Sequence, residues 1–361
     1  MTPDASPLEL PVGAPLSAAT ISADGERVAC GGPNGMLAIF NEKTAAKRIV
    51  ETGTESAVNA VAFANKGRYL AVGFQDGTIR LWREDSPGKP VSEHQLGHPV
   101  TRIGFSPDDA HLVALAGLKG RLSIVSLSPE PSVVSPPAAA TARLLSLAFH
   151  PDGGQFLTAC SDRRARVYSL TTGKPLDAGF RHDDLVHDAV YDAEGARVAT
   201  VSKDRSARIW NAATGELLHR PMMHESAVHR ARFSPDGELL ATGTVDGVAR
   251  VWDIDSGLTV FAAKLHEGPI VRVEFVRAGD SLVTAGLEGS VRNTPMVSAP
   301  EESAAWLPDL AEAIGGLRLD TEQLPQPVPR EDYPESLDRT LSAPGGKLFF
   351  NWRLPAESSR R

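Results

Sequence analysis

The chain has 361 residues, a formal net charge of −8, 32 glycines and 27 prolines. This length is enough for one large domain, and the many turn-forming residues favour an all-β fold. The acidic balance argues against nucleic-acid binding as the main function, and no apolar run approaches the roughly 18 residues that a membrane span needs.

The N-terminal segment does not look like a targeting peptide. Residues 1–10, MTPDASPLEL, lack the basic start and the apolar run of a secretory signal. The two cysteines, Cys30 and Cys160, fall in the first and fourth of the repeats described next, which places them too far apart for a disulfide. Two unpaired thiols are typical of a reducing compartment, so we predict a cytoplasmic protein.

Seven similar units of about 42 residues follow one another along most of the chain. In the sixth unit, Pro235-Asp236-Gly237 and Asp246-Gly247 separate three short β-type runs. Asp-Gly between such runs predicts a hairpin, because glycine tolerates the positive φ that a tight turn needs. The equivalents of Asp246 in the seven units are Asn34, Asp76, Lys119, Asp162, Asp204, Asp246 and Glu288.

A second column of residues has the same period. It lies six residues after the first column, is mostly aromatic, and predicts a core position near the end of the third strand of each unit. A unit of this size cannot bury both of its faces alone, so neighbouring units must stack. The members of the column are Phe40, Trp82, Val125, Tyr168, Trp210, Trp252 and Thr294.

The sequence resembles the WD40-repeat family over roughly residues 8–298. The motifs that carry the resemblance are histidines at unit starts, FSPDG-like turns and the dipeptide Trp252-Asp253. The resemblance implies an all-β, seven-bladed WD40 β-propeller over residues 1–298, with the outer strand of the last blade supplied by residues 8–10. Trp82 and Trp210 depart from the family pattern, because Arg83 and Asn211 follow them.

A His, a Thr, an Asp and a Trp recur at fixed spacing in the repeats. The resemblance implies that they form a hydrogen-bond network inside each blade, where a buried Asp and His must satisfy each other. A catalytic triad would not be present in several copies, so we prefer this structural interpretation. The residues are His182, Thr200, Asp204 and Trp210 in the fifth unit, His224, Thr242, Asp246 and Trp252 in the sixth, and Asp76, Trp82, Asp162 and His266 elsewhere.

The period stops near residue 298, and residues 299–361 form a predicted C-terminal appendage. Apolar residues at helical spacing predict a short helix near 305–315. This segment also resembles the tail that follows WD40 domains in some multidomain bacterial Ser/Thr kinases. Trp306 and Trp352 have two interpretations, a cap packed on the propeller or a surface that binds a partner.

The candidate partner-binding residues lie at strand starts and just before the turns. They include two histidines, His187 and His229, that share one column in adjacent units. No third ligand shares that column, so we predict no metal site. The full set of candidates is Gln75, Arg102, His187, Lys203, His229, Arg230, Arg272, Trp306 and Trp352.

The function predicted from these features is a non-catalytic scaffold that binds proteins or peptides, without cofactors, nucleic acid or membrane. The sequence has no P-loop, no nucleophile elbow, no Cys-x-x-Cys, no zincin motif and no kinase catalytic motif. A role in bacterial signalling, with a Ser/Thr kinase pathway component as one candidate partner, follows from the tail resemblance alone. The alternative is a propeller-type hydrolase or lyase with its site in the central channel.

Overall fold

The structure is a computed structural model in which the repeats are well described. Contacts divide the chain into two compact units, Met1–Pro295 and Met296–Arg361. The described residues are 17–22, 26–41, 44, 46–83, 88–117, 120–127, 132–134, 142–176, 179–276, 279, 281–288, 290–296, 317–319 and 325–327.

The repeats form seven antiparallel sheets, or blades, in which strand order follows chain order. Blade 1 contains β1 Ala18–Ile21, β2 Arg27–Gly31, β3 Leu37–Asn41 and β4 Lys47–Ile49. Blade 2 contains β5 Val58–Phe63, β6 Tyr69–Phe74, β7 Thr78–Arg83 and β8 Ser92–Gln95. Blade 3 contains β9 Val100–Phe105, β10 His111–Ala116, β11 Arg121–Ser126 and β12 Ser132–Val134.

The second half of the ring repeats this pattern. Blade 4 contains β13 Ala148–Phe149, β14 Gln155–Ala159, β15 Arg164–Ser169 and β16 Phe180–Arg181. Blade 5 contains β17 Val186–Tyr191, β18 Arg197–Ser202, β19 Ser206–Asn211 and β20 Met222–Met223. Blade 6 contains β21 Val228–Phe233, β22 Leu239–Thr244, β23 Val248–Asp253 and β24 Thr259–Lys264. Blade 7 contains β25 Ile270–Val276, β26 Ser281–Gly286 and β27 Val291–Pro295.

These sheets make the chain a seven-bladed β-propeller, which confirms the predicted all-β fold. First strands of neighbouring blades contact each other, as in the pairs β5–β9 and β21–β25, so the first strand of each blade is the innermost. The predicted outer strand at 8–10 and the predicted helix near 305–315 lie outside the described residues. The described part of the second unit is one antiparallel pair, β28 Leu317–Leu319 and β29 Pro325–Pro327, which the sequence pattern did not predict.

The hydrophobic core lies between adjacent blades. Ile209 of blade 5 packs in one buried cluster with Leu240 and Trp252 of blade 6. Each such aliphatic side chain stabilises the fold by roughly 1.5–3 kcal/mol when it is fully buried. Second strands are buried on both faces, which explains why β22 is almost continuously apolar or small.

Close packing against the next blade requires glycine in the second strands of blades 2 and 6. A Cβ atom at Gly73 would overlap the side chain of Val100 in the next blade, and one at Gly243 would overlap Ile270. The missing side chain therefore allows the innermost strand of the following blade to approach. No helix in the described part of the chain is long and apolar enough to cross a bilayer.

Candidate functional site

The strand register places the starts of the first strands and the turns between second and third strands at the same end of each blade. Val58 at the start of β5 pairs with Phe74 at the end of β6, and Val228 pairs with Thr244 in the same way in blade 6. Starts of innermost strands and turns between second and third strands therefore share one end of each blade. We call this end the upper face, and the end that carries the turns between first and second strands the lower face.

In blade 5 the predicted His-Thr-Asp-Trp residues are in direct contact. The Nδ1 atom of the buried His182 lies 2.9 Å from Asp204 Oδ2, and its Nε2 atom lies 2.7 Å from Thr200 Oγ1. The Trp210 indole donates to the same hydroxyl oxygen at 2.7 Å. Because a carboxylate only accepts, Nδ1 of His182 must carry a proton and donate it to Asp204.

Burial and hydrogen bonding set the charges in this network. Burial lowers the pKa of His182, although Asp204 opposes the shift. Burial alone would raise the pKa of Asp204, but hydrogen bonds from His182 and Ser206 outweigh it and hold that pKa below its ordinary value. At neutral pH the network is therefore a neutral imidazole bonded to an ionised carboxylate.

Blade 7 has the same arrangement with Glu288 in place of the Asp. His266 lies 2.7 Å from Glu288 Oε1, 2.9 Å from Ser290 Oγ and 2.8 Å from Thr284 Oγ1. The hydrogen bond from Ser290 is the largest cause that lowers the pKa of Glu288 to about 2. Thr294 stands where blade 5 has Trp210, so no indole joins this network.

Blade 6 departs from the predicted network at Asp246. His224 Nε2 lies 2.9 Å from Thr242 Oγ1, which also accepts from the Trp252 indole at 3.1 Å. However, His224 Nδ1 faces the carbonyl oxygen of Met222 at 3.1 Å, and Asp246 accepts from Thr244 instead.

Blade 6 differs from blades 5 and 7 because of the residue that stands two positions after the Asp or Glu in the sequence. Ser206 in blade 5 and Ser290 in blade 7 donate to the carboxylate and hold it beside the histidine. Blade 6 has Val248 there, and its side chain has no donor. The inclusion of Asp246 in the histidine network was therefore wrong.

The other predicted network members make different contacts. Asp162 forms an ion pair with Arg166 at 2.7 Å, and Asp76 Oδ1 accepts from the backbone N–H of Thr78 at 2.8 Å. The buried indole N–H of Trp82 has no hydrogen-bond partner among the described residues, because blade 2 has Val72 at the position that Thr200 occupies in blade 5. These blades lack the unit-start histidine, so no His-centred network forms around Asp76, Trp82 or Asp162.

A large cleft opens on the upper face between blades 2, 3 and 4. Its cavity volume is about 740 Å³. Gln75 and Arg102, two of the predicted binding residues, line it together. Five further polar residues that the sequence analysis did not single out also line it, namely Asn59, His98, Thr101, Arg121 and Arg143. We call it the arginine cleft.

The other predicted binding residues lie on neighbouring blades. The rings of His187 and His229 are 5.1 Å apart and perpendicular, on β17 and β21. Arg230 donates to the carbonyl oxygen of Val271 at 2.8 Å. Arg272 lies 3.8 Å from Glu274, and the exposed Lys203 lies 4.0 Å from Asp184. Trp306 and Trp352 lie outside the described residues.

The paired histidines are neutral near pH 7. Burial, then His229 and Arg230, lower the pKa of His187 to about 4, and burial followed by Arg230 lowers that of His229. His229 Nδ1 lies 2.9 Å from the carbonyl oxygen of Ile270 and therefore donates to it. Among the residues that the structure describes, no group of three or more His, Cys, Asp and Glu is placed to hold a metal ion.

Two family models match different parts of the propeller. The model described as "Vps8 beta-propeller" matches residues 12–128. The model described as "WD domain, G-beta repeat" matches residues 137–169, 173–211 and 215–253. The chain contains WD40 repeats. They include blades 5 and 6, whose Trp residues and histidines follow the motif most fully.

Several curated proteins are similar to parts of this chain. It is 30% identical over 156 residues to the WD repeat-containing protein slp1 of Schizosaccharomyces pombe, across 42% of this chain and 32% of that protein. It is 26% identical over 152 residues to the B-type cell cycle switch protein ccs52B of Medicago truncatula, across 41% and 31% of the two chains. The chain thus spans about a third of the length of these relatives.

A solved structure shares the architecture of this WD40 propeller. The β-propeller domain of Cps50 (Swd1) from Myceliophteria thermophila superimposes with a TM-score of 0.65, across 79% of this chain and 98% of that chain. The sequence identity is 16%, so the similarity establishes the fold alone.

The two cleft arginines that the sequence analysis missed had a recognisable signal. Arg121 stands two residues after the turn column, where the last three repeats have Ser206, Val248 and Ser290 but the fourth repeat also has an arginine, Arg164. Arg143 stands where the fifth repeat has Leu185. The position of Arg143 is small or apolar in every other repeat, so its cation is the clearer departure from what the fold requires.

Proposed function

We propose that this protein is a non-catalytic interaction scaffold that binds protein or peptide partners on its upper face. WD40 propellers are typically scaffolds of this kind. The observation that carries the proposal is the arginine cleft, whose volume of about 740 Å³ is in the range of specific ligand sites, roughly 300–1,000 Å³. Its polar groups come from three blades, so the rigid propeller holds them in place before a partner arrives.

The histidine pair supports binding rather than acid-base chemistry. An imidazole with a pKa of about 4, as in His187, accepts protons poorly near pH 7, whereas an effective general base has a pKa close to the working pH. One nitrogen of His229 is already used by the carbonyl group of Ile270. These features favour a contact surface over the hydrolase or lyase alternative.

The proposal extends to a cytoplasmic location and to a role in bacterial signalling. Cys30 and Cys160 are both buried and unpaired, which supports a reducing compartment. The signalling role rests on the resemblance of the tail to those of multidomain Ser/Thr kinases. Cell fractionation tests the location, and recovery of the chain in the membrane or secreted fraction would contradict it.

Affinity capture with matched variants of the full-length chain tests the scaffold function. The first variant is Gln75→Ala with Arg102→Ala, in the cleft. The second is Arg68→Ala on the lower face, where an exposed arginine has no partner among the described residues. The third is Trp306→Ala with Trp352→Ala.

We expect the same specific partners with wild type and with Arg68→Ala, and their loss with the cleft variant. If the cleft variant captured every partner while the tryptophan variant lost them, the binding site would lie in the C-terminal segment. Capture of no specific partner by the wild type would contradict the scaffold function itself. Melting curves of all variants check that each one is folded.

A further inference from the structure

The described residues that line the arginine cleft include three arginines and no carboxylate. Arg102 lies on β9, Arg121 begins β11, and Arg143 precedes β13, so three separate segments supply them. None of the three has an ion-pair partner among the residues that the structure describes. Other arginines of the propeller are paired, as Arg197 is with Asp192 at 2.7 Å and Arg80 with Glu93 at 2.8 Å.

The charges near the cleft repel each other. Arg102 is open to solvent in the cleft, but surrounding protein atoms lower its pKa, and Arg230 and Arg143 lower it further. Asp188 is the nearby opposing charge, yet it already accepts from Arg232 at 3.1 Å. An anion in the cleft would therefore meet positive charge that the protein itself leaves unneutralised.

Neutral groups in the cleft leave further donors for a ligand. The Asn59 amide donates to Gln75 Oε1 at 2.5 Å, and Gln75, which lines the cleft, still has an amide N–H₂ group that can donate. Arg102 uses one guanidinium nitrogen for the Thr101 carbonyl oxygen at 2.8 Å. Since a guanidinium has five N–H donors, most of those on the three arginines remain available.

We propose that the arginine cleft binds an acidic peptide segment of a partner protein, with its carboxylate or phosphate groups against Arg102, Arg121 and Arg143. This inference rests on the proposed scaffold function and specifies the chemistry of the partner. The guanidinium group suits both anions, because its fork matches two oxygens at once. A cavity of about 740 Å³ has room for several residues, far more than a single small anion fills.

The overall charge of −8 disfavours a nucleic acid in this role. A long polyanion would meet net repulsion outside the cleft, whereas a short acidic segment places its charge inside it. Blades 2 and 4 bound the cleft on either side. The described lining residues form a compact group and not an extended basic stripe. A compact acidic segment is therefore the ligand that this charge distribution favours.

Selection from a random peptide display library on immobilised full-length protein tests the proposal without assuming a sequence. The comparison proteins are a cleft variant, Arg102→Gln with Arg121→Gln and Arg143→Gln, and the lower-face variant Arg68→Gln. The three cleft side chains are exposed, so their replacement should leave the fold intact, and melting curves check this. We expect enrichment of peptides with two or more Asp or Glu residues on wild type and on Arg68→Gln, but not on the cleft variant.

Affinity measurements on the enriched peptides give the size of the effect. By fluorescence anisotropy, the cleft variant should bind the best acidic peptide roughly tenfold or more weakly, and wild-type affinity should fall as salt rises from about 0.05 to about 0.5 M. Replacing one Asp or Glu by phosphoserine distinguishes the two sources: tighter binding indicates phosphate, and equal or weaker binding indicates carboxylate. Enrichment of neutral or basic peptides, enrichment of none, or equal binding to the cleft variant would overturn the proposal.

Failure of this inference is distinguishable from failure of the scaffold function. If lysate capture depends on Gln75 and Arg102 but no acidic peptide is selected, the scaffold function stands and the acidic specificity is wrong. If acidic peptides bind the cleft but no cellular protein is captured, the chemistry of the cleft stands and the scaffold function is wrong.

Discussion

Blades 5 and 2 are built from the same repeat, yet they satisfy their polar groups in opposite ways. In blade 5 the indole N–H of Trp210 donates to Thr200, whose hydroxyl also contacts the buried His182. In blade 2 the equivalent of Thr200 is Val72, and the buried indole N–H of Trp82 meets no acceptor in the part of the chain that the structure describes. The fold therefore does not require the network, since apolar packing against neighbouring blades maintains blade 2 without it.

The two regions also differ in what they expose. On blade 5 the carboxylate of Asp204 is bonded to His182 and Ser206, so it has little left for a ligand. On blades 2 to 4 the polar residues of the upper face line an open cleft instead. Blades 5 and 6, the regular region, use polar residues for internal hydrogen bonds, whereas blades 2 to 4 place polar residues around the arginine cleft.

The largest expected effect is on the stability of the regular region. Trp252→Ala should lower the free energy of unfolding by roughly 3–5 kcal/mol, because it leaves a cavity in the core shared by blades 5 and 6. The variant also removes a donor from Thr242. Urea denaturation followed by tryptophan fluorescence and circular dichroism measures the change. An unfolding curve that coincides with that of the wild type would show that the blade does not depend on this ring.

The difference between blades 5 and 6 can be tested at their histidines. His182→Ala removes a hydrogen bond to the ionised carboxylate of Asp204, which keeps its contacts with Ser206 and Arg208, so we expect a loss of roughly 1.5–3 kcal/mol. His224→Ala removes hydrogen bonds to neutral groups only, because Asp246 bonds Thr244, and should cost roughly 0.5–1.5 kcal/mol. The same denaturation experiment on both variants gives the comparison. A larger loss for His224→Ala would mean that the Asp204 contact adds no stability.

Much of the fold could be predicted from the sequence, because the turn column and the aromatic column repeat with the blades. The contacts of His182 with Thr200 and Asp204 also follow from that period. The contact made by Asp246 could not be predicted from these columns, since it depends on whether a serine or Val248 stands two residues later. The arginine cleft needed the ring itself, because Asn59 and Arg143 converge only when blades 2 to 4 are stacked.

Acid should destabilise the regular region through its buried histidines. Burial, followed by repulsion from Arg250, lowers the pKa of His224 from 6.5 to about 4. The unfolded chain therefore binds a proton that the folded chain does not bind between these two values. The stability that His224 contributes is complete above pH 6.5 and is lost as pH falls toward 4, by about 3 kcal/mol in total.

Unfolding free energies measured across that pH range check this expectation. His224→Gln keeps a polar group near Thr242 but does not titrate, so its stability should fall less steeply with acid than that of wild type. An identical pH dependence in the two proteins would show that the imidazole titrates in the folded state as it does in the unfolded chain. Asp204 acts in a different window, because its lowered pKa affects stability only at more acidic pH.

The smallest expected effect lies in blade 2, where one substitution would supply the acceptor that Trp82 lacks. Val72→Thr places a hydroxyl at the position of Thr200, beside the buried indole N–H. Burying a hydroxyl in place of a methyl group is unfavourable by itself, so the single variant alone does not isolate the new hydrogen bond.

A double-mutant cycle with Trp82→Phe isolates this hydrogen bond, because phenylalanine retains an aromatic ring without the donor. We expect Val72→Thr to be less destabilising in the wild-type background than in the Trp82→Phe background by roughly 1 kcal/mol, the net contribution of a typical hydrogen bond. A coupling energy of zero would mean that the hydrogen bond between the indole and the threonine hydroxyl forms only when a histidine starts the unit, as His182 does in blade 5. Blade 2 has Thr54 at that position.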